Sequence, residues 1–254
     1  MITRVLVPMA MLAGLALSAC GGGSDAHAPA AATAPPRATF TPATAASTTP
    51  LPITIDRPAD AAALSIPFEI AGTADIAEDT LSVTVADAAG TLCEHDLDAV
   101  SGAGTRGAWR TTMSFVPRGG TGPVIISAFS RSPRDGTSIN VVTRTVQVSG
   151  DPPDVVIAEP LCAADLAAES ALRVSGTARV SEAALTVELR TSSGAVVGQR
   201  QVTTDAAAPA TGRWSTELDL TGIPAGRYYL VAYSIAARDG APEHMFSIPV
   251  RITV

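Results

Sequence analysis

From residue 51 onward the chain is written in short stretches where apolar and polar residues alternate. Residues 185–190 read Leu-Thr-Val-Glu-Leu-Arg, and residues 81–86 follow the same rule. A period of two marks a strand with one buried face. Trp214, Thr216, Leu218 and Leu220 fall on one face of a further strand, with Ser215, Glu217 and Asp219 on the other. Trp109, Thr111, Met113 and Phe115 make the same stripe earlier. Turn residues separate these stretches: Asp87-Ala88-Ala89-Gly90, Ser192-Ser193-Gly194, and the glycine-bounded segments 119–122 and 222–226. No long segment after the first twenty residues keeps a helical period. The turn signals predict seven strands in the first hundred residues of this region, starting near 53, 67, 80, 91, 108, 123 and 139.

The pattern occurs twice, at an offset of about 104 residues. Ile55 and Pro58 recur as Ile157 and Pro160. Gly72-Thr73-Ala74 recurs as Gly176-Thr177-Ala178. Gly107 and Trp109 recur as Gly212 and Trp214. Ser130 and Arg134-Asp135-Gly136 recur as Ser234 and Arg238-Asp239-Gly240, and Val146 and Val148 as Val250 and Ile252. The order is kept throughout, so the region is a duplication, 51–149 and 150–254, with the short stiff linker Ser149-Gly150-Asp151-Pro152-Pro153 between the copies. Seven short strands in about 100 residues is the size of an immunoglobulin-like sandwich. The expected fold is all-β: two tandem immunoglobulin-like β-sandwiches after a signal peptide and a disordered tether.

Both units resemble the Gmad2 family, the immunoglobulin-like domain of bacterial spore germination. The resemblance is carried by the opening I-x-x-P (Ile55, Pro58; Ile157, Pro160), by G-T-A followed by an acidic residue (Glu78; Glu182), by the G-x-W entry and by the late S-x-x-x-R-D-G turn. Asn140 after the first turn and Ile248-Pro249-Val250 near the second C-terminus belong to it too. It covers almost all of 51–254 and implies the sandwich fold. No neighbouring enzyme-like germination domain accompanies it, and the family name is not read as a germination function.

The first twenty residues read as an address. Arg4 precedes an apolar run from Val5 to about Leu17, too short for a membrane span and right for a secretory leader. Leu17-Ser18-Ala19-Cys20 matches the bacterial lipobox, which predicts a signal peptide over 1–19 and lipidation of Cys20. Two or three acyl chains hold a protein on a bilayer without a span. By resemblance to Gram-negative lipoproteins, Gly21 in place of Asp favours the outer membrane, with the protein facing the periplasm or the cell surface. Ala, Pro, Thr, Ser and Gly make up 26 of the 30 residues from 21 to 50. Such a segment buries too little to repay its ordering entropy, so 20–50 is expected to be the lipidated cysteine and a tether.

Charge and chemistry narrow the function classes. The chain of 254 residues has a net charge of −7, and all 17 of its basic residues are arginine. An acidic balance argues against a nucleic-acid partner, which needs a basic stripe. No phosphate loop, cysteine quartet or nucleophile elbow is present, and neither a catalytic residue nor a cofactor is expected. Cys93-Glu94-His95-Asp96 looks rich, but in a strand Cys93 and His95 face one way and Glu94 and Asp96 the other, so no metal is expected there. Asp75, Glu78 and Asp79 fall short of the six to eight oxygens that calcium takes, and the second copy has Arg179 and Glu182 in their place. His27, His95 and His244 have no triad-like setting.

The remaining candidates are structural. Asp135-Gly136 and Asp239-Gly240 read as hairpin turns, with Gly taking positive φ and Asp bonding nearby amides. Trp109 and Trp214 read as core anchors. Tyr228, Tyr229 and Tyr233 read either as an interaction surface or as core and rim packing, with Tyr229 and Tyr233 on one face and Tyr228 on the other with Leu230. With Cys20 lipidated, Cys93 and Cys162 remain, either as free thiols or as a disulfide formed outside the cytoplasm. They occupy non-equivalent places in the two copies, so a bridge would join the domains, provided their Cα atoms lie within ~7 Å.

Together these features lead to an expected non-enzymatic binding or scaffolding lipoprotein of the envelope. Its partners would be the membrane through its lipid, and an envelope protein, peptidoglycan or a glycan reached through strand edges or loops. The alternative is a passive spacer in an envelope assembly.

Overall fold

The computed structural model describes residues 51–77, 80–98, 104–168 and 171–253. The signal peptide, Cys20 and the tether lie outside the described residues, as do Glu78 and Asp79 of the acidic loop. Every named element among the described residues is a strand. No helix there is long and apolar enough to cross a membrane.

The first domain contains β1 (Ala63–Leu64), β2 (Phe68–Ala74), β3 (Thr80–Asp87), β4 (Gly90–Asp98), β5 (Gly107–Met113), β6 (Gly122–Arg131) and β7 (Ser138–Val148). The second contains β8 (Val155–Glu159), β9 (Ala164–Ala167), β10 (Ala171–Ala178), β11 (Ala184–Thr191), β12 (Val196–Thr203), β13 (Gly212–Asp219), β14 (Gly226–Ile235) and β15 (Pro242–Thr253). The larger sheet of each domain has one plan, β1-β7-β6-β3-β4 and β9-β15-β14-β11-β12. The facing sheets are β2-β5 and β8-β10-β13. Both copies are therefore two-layer immunoglobulin-like sandwiches, and both fall within one compact unit of the chain.

The expected strand near 53 is replaced by two isolated bridges, Ile53 to Ala74 and Arg57 to Ala71. The chain then crosses to the other sheet and adds the unexpected β1, parallel to β7. In the second copy the same path makes a full strand, β8, followed by β9 parallel to β15. The peptide bonds before Pro58 and Pro160, the prolines of I-x-x-P, are both cis. The Ala-rich run that carries β1 has no alternation to reveal a strand.

Alternation builds the cores. Leu81, Val83 and Val85 of β3 face Val124, Ile126 and Ala128 of β6 within one buried cluster. Leu185, Val187 and Leu189 of β11 lie with Leu230 and Ala232 of β14 in the same way. Trp109 and Trp214 are each 3% exposed. A Trp side chain buries ~150–250 Å², an upper bound of about 4–6 kcal/mol of transfer free energy.

The separate sequence repeats G-T-A and G-x-W turn out to be one packing unit. Gly72 stands opposite Trp109 across β2 and β5, and Gly176 opposite Trp214 across β10 and β13. A Cβ on either glycine would run into the ring atom Cζ2 of its tryptophan. It would also meet a backbone carbonyl oxygen, that of Thr54 or Val156. Only glycine leaves room for the indole and the neighbouring strand together.

Candidate functional site

The chemistry-bearing residues gather on the side of the first domain that meets the second. β4 is the edge strand of its sheet. Its inward-facing Cys93 and His95 line the mouth of the first sandwich, and β15 of the second domain touches both β4 and β5. Ser247 on β15 donates its amide to Ser114 Oγ at 3.4 Å.

Cys93 and Cys162 are bonded to each other, with Cα atoms 5.2 Å apart and a sequence separation of 69. Cys93 belongs to the core of the first domain, and Cys162 packs against that core from the turn between β8 and β9. The bridge thus joins two domains. Two ion pairs run beside it: Arg251 with Asp96 at 3.3 Å, and Arg227 with Asp98.

His95 is the most unusual group here. It is 1% exposed, and its Nδ1 shares a 2.7 Å hydrogen bond with Thr111 Oγ1 on the facing sheet. Its Nε2 is buried without a hydrogen-bond partner among the described residues. The Tyr229 ring of the second domain stands 6.0 Å away, edge-on. Burial pushes the His95 pKa down to about 4, with Asp96 pulling weakly upward. The imidazole is neutral across the physiological range. Burial likewise raises the Tyr229 pKa, with Arg227 opposing.

Glu94 and Asp96 point the other way on β4, as alternation requires. Glu94 pairs with Arg131 at 2.5 Å, and Asp96 accepts the Ser82 hydroxyl at 2.7 Å. Between the domains lies a cleft of about 550 Å³, walled by Asp96, Arg131, Asp165, Arg227, Tyr229 and Arg251. Its cations and carboxylates largely neutralise one another.

Of the two readings of the tyrosines, packing holds and the exposed surface does not: Tyr228 and Tyr233 are buried and Tyr229 is half-buried. β14 is an inner strand, hydrogen-bonded to β11 and β15, and both of its faces are covered. Tyr228 belongs to the core and donates its hydroxyl to the Pro224 carbonyl at 2.9 Å. Tyr233 is buried and donates to Glu188 Oε1 at 2.8 Å. Glu188, itself buried, is held from the other side by Arg190 Nε at 2.6 Å. Burial and the bond to Glu188 raise the Tyr233 pKa. Tyr229 is half-buried against His95.

The Asp-Gly pairs sit in equivalent hairpins. Gly136 has φ 72° and Gly240 φ 71°. Asp135 Oδ1 accepts from the Thr137 amide and hydroxyl, and Asp239 Oδ1 from the Ala241 amide. The hydrogen bonds from Thr137 hold Asp135 below the usual carboxylate range. The Arg238 side chain, then the Ala241 amide, does the same for Asp239. Just past each turn the ladder slips by one residue, and Asn140 and His244 take φ 57° and 54°. Of the acidic loop, Asp75 accepts the Gly104 amide at 2.8 Å. His244 Nδ1 stands 3.1 Å from Asp154, which Arg179 also holds.

Sequence reading missed the ion pairs between domains. Their partners are 129 and 155 residues apart, beyond the reach of any local pattern.

The model of the Gmad2 family, described as the immunoglobulin-like domain of bacterial spore germination, matches residues 52–137 and again 154–241. Among curated proteins, none matches the chain. Among solved structures, the fibronectin(III)-like modules of Clostridium thermocellum CbhA are similar over 80% of this chain and 93% of theirs, at 16% identity and a TM-score of 0.23. A tetra-tandem repeat from the extending region of a large adhesion protein is similar over 73% of this chain and 45% of its own, at 18% identity and a TM-score of 0.28.

Proposed function

The chain belongs to the Gmad2 family, whose immunoglobulin-like domain it carries twice, and from that premise we propose that it is a lipid-anchored envelope protein acting as a non-enzymatic binding or scaffolding module. The observation that carries the reading is the free edge of β12. This strand ends its sheet, pairs with β11 alone among the described strands, and exposes Val196 and Val197. Edge strands present unpaired amides and carbonyls to an incoming strand, and apolar side chains on them add area. The partner this edge suits is an extended segment of another envelope protein. Anchoring rests on Leu17-Ser18-Ala19-Cys20, and placement at the outer membrane on Gly21.

Two measurements test the reading. Envelope extract passed over the full chain yields a saturable protein partner, and Val197→Lys on the edge loses it. Binding that survives this variant, or capture of peptidoglycan or glycan alone, removes the strand-addition reading. Cell fractionation finds the chain in the outer membrane and Cys20→Ser released from it. A Cys20→Ser chain still on the membrane refutes the anchor.

A passive spacer is the second reading. It is favoured by the cross-link and ion pairs that fasten the two domains to each other. Failure to capture any partner at saturating chain concentration supports it.

A further inference from the structure

The mouth of the first sandwich gathers three side chains that ligate borderline-soft metals. A ring nitrogen of His95 and the sulfurs of Cys93 and Cys162 all lie within 4.8 Å of one another. Among the described residues, only Nδ1 of that ring has a hydrogen-bond partner. Nε2 is buried with none, inside a residue 1% exposed. A buried polar atom without a partner costs free energy and calls for an explanation. We propose that reduction of the Cys93–Cys162 bridge converts this cluster into a Zn²⁺ site, with the two thiolates and the His95 imidazole as ligands.

A protein dithiol supplies two electrons and two protons, breaks the sulfur–sulfur bond and leaves as a disulfide. Two thiols remain here. Zn²⁺ displaces both thiol protons to solvent and forms two Zn–S bonds and one Zn–N bond. Two thiolates and a neutral imidazole cancel the 2+ charge, and a buried site favours such a neutral complex. Cu⁺ on the same ligands leaves a net negative charge in the buried mouth.

The geometry accepts the ion. Tetrahedral Zn–S bonds of ~2.3 Å place the sulfurs roughly 3.8 Å apart. The two Cα atoms are already 5.2 Å apart. Cys93 and His95 are fixed two residues apart on the same face of β4, and half-buried Cys162 sits on a turn able to yield the remaining distance. Water completes the fourth position, with half-buried Cys162 the least buried of the three ligands. Glu94 and Asp96 take no part, because Arg131, Ser82 and Arg251 already hold them. Bridge and metal exclude each other, so occupancy reports the redox state.

The test titrates the full chain, reduced with a phosphine, with Co²⁺. The expected result is a thiolate-to-cobalt charge-transfer band with strong visible absorption, abolished by one equivalent of Zn²⁺ and absent from the oxidised chain. Cys162→Ser loses the band, and His95→Gln weakens Co²⁺ binding at least tenfold. A reduced chain that keeps its strand circular dichroism but shows no band overturns the site. So does a band of equal strength in either variant. Should His95→Gln fail to fold, Cys162→Ser, on the outer turn, decides the question.

Discussion

Gly176 lies directly across the ladder from Trp214, and its missing side chain is the space that the indole edge and the Val156 carbonyl occupy. A Gly176→Ala chain is therefore expected to lose about 2–3 kcal/mol, at the upper end of overpacking costs, because one colliding atom is backbone. Gly198→Ala is the control. A Cβ there meets only the Leu189 Cβ at 3.8 Å, an ordinary contact, so its stability should stay within about 0.5 kcal/mol. Urea unfolding followed by tryptophan fluorescence separates the two. Equal effects would show that the glycine is not there for the tryptophan.

The bridge closes a loop of 69 residues. In the chain-entropy account a loop of that size contributes about 4 kcal/mol. Cys162→Ser in the presence of a chelator should lower the denaturant midpoint accordingly. It should also split one transition into two, since each domain has its own pair of sheets. A single unshifted transition would mean that the noncovalent contacts alone couple the domains.

Acid should weaken the oxidised protein through His95. The folded pKa is about 4 and the ordinary value 6.5, so between them the unfolded chain holds a proton that the folded chain refuses. The stability from the neutral ring is complete above about 6.5. It falls by roughly 3 kcal/mol as pH drops to 4. The groups around the ring are Asp96, Thr111, Tyr229 and the disulfide, and of these only Asp96 favours the cation. The depressed pKa values of Asp135, Asp219 and Asp239 act at lower pH, as pH falls through values under 3.8, outside this window. His95→Gln should flatten stability between pH 6.5 and 4. An unchanged slope would show that the ring is protonated in the folded state.

Tyr233→Phe removes the hydroxyl that meets the buried Glu188 carboxylate. A hydrogen bond to a charged group contributes roughly 1.5–3 kcal/mol, and Arg190 still holds the other oxygen. The expected loss lies in that range by chemical denaturation. A neutral result would place water where the hydroxyl was.

Most of the fold was legible because it rests on local signals. Alternation located β3, β11 and β13, and Asp-Gly pairs located the β6–β7 and β14–β15 hairpins. β1 was not legible, since Ala63 and Leu64 carry no period and gain their place only by pairing with Gln147 and Val148. What covers the tyrosines was hidden for a related reason. Alternation assigned Tyr229 and Tyr233 to one face correctly, but what covers a face comes from residues such as Glu188 and His95, far along the chain. Cys93 and His95 were likewise placed side by side by period. Only the meeting of the domains supplied Cys162 as the third member.

The cross-link also sets the path of a pulling force. Tension entering at residue 51 and leaving at residue 253 passes through the first four strands to Cys93, crosses the sulfur bridge to Cys162, and continues into the second domain. Strands β5 to β8 and the linker lie on a slack detour between the bridged cysteines, which are 69 positions apart. A single protease cut in that linker would leave the two halves attached. Reduction would hand the linker the load for the first time and lengthen the molecule under strain.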